Sequence, residues 1–98
     1  MSKRCWSVFT EDMNHCIFTG SNVVERHHIF GGANRKKSEV YGFVVPLRPD
    51  LHPNGVRYDR NNICGVTDLS LKQMAQAYYE EYCGTRAEFR RIFGRSWL

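Results

Sequence analysis

The sequence predicts an α+β fold, with two short strands in the first half of the chain and two helices in its C-terminal third. Three observations carry this. Asn22 to Phe30 and Val40 to Leu47 are rich in β-branched and aromatic residues and are punctuated by Gly or Pro. Leu71, Met74, Ala75, Tyr78 and Tyr82 recur at helical spacing. Thr85-Arg-Ala-Glu88 has the form of a helix-opening capping box.

The elements follow in chain order. Thr10-Glu-Asp is a candidate short helical turn, and Thr19-Gly-Ser-Asn is a turn signal. The first strand stops at Gly31-Gly32. The polar segment from Ala33 to Glu39 is expected to be an exposed loop. Gly42 and Pro46 make the second strand irregular or an edge. Pro49 suits the first position of a helix, which Pro53 and Gly55 then cut short. A polar connection, 54–67, leads to the C-terminal helices. Asp68 is the expected cap of the first and Gly84 lies past its end; Phe89, Ile92 and Phe93 form the buried face of the second. The aromatic stripe reads as core. All 98 residues fit one domain, with the strand–strand–helix element over about 22–53 and the helices over about 68–95.

Composition narrows the function classes. An apolar fraction of 42% with 13% aromatic residues excludes a disordered chain. No apolar run approaches the ~20 residues of a membrane span. No long apolar stretch follows Lys3 and Arg4, so no secretory leader is expected and the cytoplasm is the expected compartment. The net charge of +4 is a mild bias toward polyanions. Six basic residues (Arg35, Lys36, Lys37, Arg48, Arg57, Arg60) against three acids between Gly31 and Arg60 concentrate that bias. The four cysteines, Cys5, Cys16, Cys64 and Cys83, form no C-x-x-C pair, and reduced, mostly buried thiols are expected.

Three of the four histidines cluster along the chain: His27 and His28 side by side in the first strand, and His52 after the second. Adjacent residues of a regular strand point to opposite faces, so the pair is not expected to chelate one ion together. A division of labour fits better, with one imidazole binding metal and the other acting as general base, a role suited to its ordinary pKa near 6.5. The chain Glu25-Arg-His-His-Ile-Phe-Gly-Gly32, followed by Phe43-Val-Val-Pro-Leu-Arg-Pro-Asp-Leu-His52, resembles the HNH (ββα-metal) endonuclease family. That family's motif sets a ligand–base pair, (Asp/His)-His-Ile, on the first strand and Leu-Cys-x-x-Cys-His at the helix entry. The C-terminal Arg91-Ile-Phe-Gly-Arg-Ser-Trp-Leu98 is similar to small phage-associated members.

The resemblance implies a ββα-metal core with two added C-terminal helices, in a bacterial or phage-encoded protein whose partner is DNA. It implies phosphodiester hydrolysis at low sequence specificity, with one divalent ion (Mn, Ni, Mg or Zn) and no small-molecule cofactor. His27 and His52 fall on the metal ligands and His28 on the general base. Arg26, Arg35, Lys36 and Lys37 are the expected contacts to DNA phosphates. No carboxylate is expected in the cluster, and imidazole donors favour Mn or Ni over a strict Mg requirement.

The chain departs from the family in three places. Many relatives carry a structural zinc on two C-x-x-C pairs; here Cys16-Ile-Phe-Thr19 keeps one cysteine and Arg48-Pro-Asp-Leu51 keeps neither, so no structural zinc is expected. The family's central asparagine, which holds the base, falls near Phe43, and Asn34 or a backbone carbonyl is the expected substitute. Pro53 shortens the metal-binding helix. Two other readings stand beside the nuclease: a catalytically inactive DNA-binding module on this fold, and a structural metal site of Cys16, His27 and His52, with or without His15.

Overall fold

In the computed structural model, residues 6–49 and 67–98 are described. Strand β1 (Glu25–His28) pairs antiparallel with β2 (Val44–Leu47), setting Glu25 opposite Leu47, Arg26 opposite Pro46, His27 opposite Val45 and His28 opposite Val44. The pairing is extended by Ile29, whose N–H donates to Phe43 O at 2.9 Å. All four residues of β2 are buried, which β-branched Val and Leu favour. Pro46 sits where its missing N–H costs no ladder bond, and its carbonyl accepts from Ile17 N–H at 3.0 Å.

The connection between the strands is the main difference from the sequence expectation. A 3₁₀ turn (Gly32–Asn34) leads into helix α1 (Arg35–Tyr41), where an exposed loop was expected. The second strand is correspondingly shorter, because Val40 and Tyr41 belong to the helix. Arg35, Lys36, Lys37 and Glu39 are good helix formers, and Gly42, at φ +72°, ends the helix in the left-handed region. A side chain at Gly42 would also meet the Trp6 ring at 2.8 Å, so the N-terminal segment lies directly over this turn. What holds α1 down is polar. The Ser38 hydroxyl, fully buried, accepts from Phe30 N–H at 2.9 Å and donates to Phe30 O at 2.8 Å. Lys37 donates to Ile92 O, and the Asn34 amide donates to Phe93 O at 3.0 Å. A helix anchored this way leaves little hydrophobic period in the sequence.

Helices α2 (Asp68–Tyr82) and α3 (Arg86–Phe93) form as expected. Thr67, not Asp68, caps α2: its extended backbone lets its side chain accept from Ser70 N–H. Asp68 lies in the first turn, where its charge complements the helix dipole and pairs with Lys72 at 2.7 Å. Thr85 and Glu88 form the predicted capping box on α3. On α2, Leu71 and Ala75 are buried with Gln76 and Tyr79, and Met74 and Tyr78 pack at the margin; Tyr82, expected in the stripe, is 68% exposed. Gln76 is a satisfied core amide that accepts from Trp97 N–H and donates to Glu80 and Ser96, so it ties the C-terminal tail to α2. Thr10 to Asp12 is a turn closed by the Thr10 hydroxyl rather than a helical turn.

The core is aromatic. Phe30 lies between the sheet and α3, with ring centroids 4.4 Å from Phe93 and 6.0 Å from Phe43. Phe89, Tyr41 and Tyr79 complete the cluster. Among the described residues no helix is long and apolar enough to cross a membrane. Ser38→Ala strands two buried backbone groups of Phe30, so it is expected to cost about 2–4 kcal/mol in urea unfolding. A loss below ~0.5 kcal/mol would show that the Ser38 hydroxyl does not anchor α1.

Candidate active site

Strand alternation and the short length of β1 settle where the paired histidines go. His27 is 3% exposed. His28 lies on the opposite face of the strand, which it shares with Arg26. There its Nε2 meets the Glu39 carboxylate of α1 at 3.1 Å, and both side chains are largely withdrawn from water. With an ionised carboxylate, which only accepts, Nε2 is the donor of this hydrogen bond, and Nδ1 carries the lone pair whenever the ring is neutral. That is the form a general base needs.

Glu39 corrects the expectation of a cluster without a carboxylate. It was hidden because Ala33–Glu39 read as solvent loop; only the helix turns Glu39 back toward β1. Asn34, the expected substitute for the family's asparagine, has its amide nitrogen on Phe93 O. Phe43, expected from the resemblance to fall near the asparagine position, is wholly buried in the aromatic core. The group that contacts the expected base is thus Glu39, which sequence spacing did not single out.

The expected phosphate contacts divide. Arg26, Arg35 and Lys36 are exposed. Lys37 is half-buried with its ammonium on the Ile92 carbonyl, in the last turn of α3, where a cation complements the helix dipole. Its role in the fold is that of a helix-end partner. On α3, Arg86 pairs with Glu80 at 3.1 Å, and beyond its end Arg95 lies over the Trp97 ring at 5.3 Å.

His52 lies outside the described residues, as does most of the short helix expected after Pro49. Among the described residues no group of three or more His, Cys, Asp or Glu side chains is gathered to hold a metal ion. The expected ligand set depends on His52 joining His27. His15 is turned to Asp12, with Nδ1 2.7 Å from the carboxylate, and half-exposed. That carboxylate is held below its usual range by hydrogen bonds from Asn14 N–H and from His15.

Cys16 marks a second feature. It is buried, whereas Cys83 is exposed; Cys5 and Cys64 lie outside the described residues. Burial pushes the Cys16 thiol up, but hydrogen bonds from the Thr19 side chain and from the backbone of Arg48, Phe18 and Thr19 outweigh it and hold the thiol below its ordinary value. The turn is closed by Gly20 N–H on Cys16 O at 2.8 Å, with Gly20 at φ +76°. Cys16, Thr19 and Arg48 therefore meet in space.

Comparison with protein-family models, curated proteins and solved structures finds no match. Replacing Lys37 with Met is expected to lower stability by roughly 1–3 kcal/mol, because the Ile92 carbonyl loses a charged donor. Unchanged stability would return Lys37 to the free surface.

Proposed function

We propose that this protein is a divalent-metal-dependent DNA endonuclease that hydrolyses phosphodiester bonds at low sequence specificity. The observation that carries the reading is the His28–Glu39 pair, a histidine held against a carboxylate from helix α1, in the chain position next to the buried His27 on the other face of β1. His27 and His52 are the residues that would hold a divalent ion, whose chemistry is charge neutralisation at the scissile phosphate and the leaving 3′-oxygen. The fit rests on donor type. An imidazole withdrawn from water suits Mn, Ni or Zn, and Glu39 is engaged by His28.

The chain's own residues supply the rest. Nδ1 of His28 takes a proton from the attacking water. The resulting hydroxide bonds to phosphorus as the bond to the 3′-oxygen breaks, and that oxygen takes a proton from solvent. Arg35 precedes Glu39 by one helical turn, so it lies on the same side of α1, and with Lys36 and Arg26 it gives backbone phosphates a cationic approach. Such contacts position DNA without reading its sequence.

The deep burial of His27 favours one alternative, an inactive module in which the same imidazoles stabilise the fold. Plasmid nicking separates the two. The purified protein is expected to nick supercoiled plasmid with Mn²⁺ or Ni²⁺ at least as fast as with Mg²⁺, and to stop in EDTA. His28→Ala is expected to lose about 10²–10⁴ of the rate with unchanged unfolding behaviour. Nicking that survives in His28→Ala, or a strict Mg²⁺ requirement, would contradict the assignment. Neutralising Arg35 and Lys36 together is expected to flatten the log–log salt dependence of DNA binding by a slope of about two. An unchanged slope would make them ordinary surface cations.

A further inference from the structure

We infer that Glu39 is the positioning residue of the general base, fixing the ring of His28 through Nε2 so that Nδ1 faces the reacting water. This rests on the nuclease reading and adds a residue to it. The argument begins with the rigidity of α1. Ser38, the preceding residue, is clamped to both backbone groups of Phe30, two residues after His28. Lys37 and Asn34 hold the helix to the end of α3, and the carbonyl of Glu39 itself accepts from Trp6 Nε1 at 2.6 Å. The carboxylate is thus delivered to His28 from a backbone fixed on both sides, at 3.1 Å, with His28 8% and Glu39 22% exposed at their side chains.

A surface ion pair between long, mobile side chains would contribute little. This one differs in kind, because a withdrawn carboxylate beside an imidazole sets which nitrogen carries the proton and stabilises the imidazolium formed when the other accepts one. The proton balance is simple. Water gives one proton to Nδ1, the ring becomes a cation, and Glu39 carries the compensating negative charge throughout. No proton moves to Glu39. Phe43, expected from the resemblance to fall near the asparagine position, offers no polar group, and Asn34 is turned to α3. Glu39 fills that role from a different element.

The test compares wild type, Glu39→Ala, Glu39→Gln and His28→Ala in full-length protein, with two readouts. The first is the ring N–H resonance of His28 in water, observed on ¹⁵N-histidine-labelled protein. It is expected in wild type and in Glu39→Gln, whose amide oxygen still accepts, and to vanish by solvent exchange in Glu39→Ala. The second is Mn²⁺-dependent nicking of supercoiled plasmid. Glu39→Ala is expected to lower kcat about tenfold to a hundredfold, the size found for outer partners of working imidazoles, with KM for plasmid within about threefold. Glu39→Gln is expected to lose less. A Glu39→Ala protein that keeps both the resonance and kcat overturns the inference, as does a loss of kcat fully accounted for by unfolding in Glu39→Ala and absent in folded Glu39→Gln. Failure of wild type to nick DNA defeats the nuclease reading itself. The ring resonance then still decides whether Glu39 holds His28, and its persistence in Glu39→Ala overturns that too.

Discussion

The Ser38 hydroxyl is the constraint on which the site depends. With one donor and two acceptor positions, it closes on Phe30 N–H and Phe30 O together, in a location without water. Breaking it strands both groups in the core. The clamp forces the chain that leaves β1 to return over the strand end as a helix, and Phe43 N–H on Ser38 O at 2.8 Å then starts β2 from the same residue. Glu39, the next residue, has little choice of direction. Its carboxylate falls on His28 because Ser38 is fixed and α1 has a helical period.

The aromatic core and the polar clamp serve different ends. Phe30, Phe43, Phe89 and Phe93 bury the surface that makes the fold stable, with tilted, edge and stacked ring pairs. None of these rings chooses between a loop and a helix after Gly31. That choice comes from Asn34, Lys37 and Ser38, whose side chains meet backbone groups in β1's exit and α3's last turn. The stability and the active geometry are thus separable. A core substitution should soften the whole domain, whereas a change in these three residues acts first on α1.

This division explains what was legible in the amino-acid order. Strands around His27 and Val45 and helices over Asp68–Tyr82 and Arg86–Phe93 announce themselves by apolar period and by Thr85 and Glu88. The adjacent histidines were visible as residue types on a strand. Helix α1 was not, because its buried face is Ser38 with half-buried Tyr41, and a single buried hydroxyl has no hydrophobic signature. With α1 unread, Glu39 passed for a loop acid, and the bond from Lys37 to Ile92 O went unforeseen. The register of α2 slipped for a related reason: Gln76 is buried through three hydrogen bonds, so the true stripe carries a polar residue that a hydrophobic count steps around.

The functional account requires His27 and His52 to share one ion while His28 stands beside it. Titrating Mn²⁺ into ¹⁵N-histidine-labelled protein tests this most directly, because a paramagnetic ion broadens nearby ring resonances steeply with distance. The account predicts that His27 and His52 broaden together at substoichiometric metal and His28 next, while His15, turned to Asp12, stays sharp. A His52 resonance that remains sharp while His27 is lost, or no selective broadening at all, would contradict it.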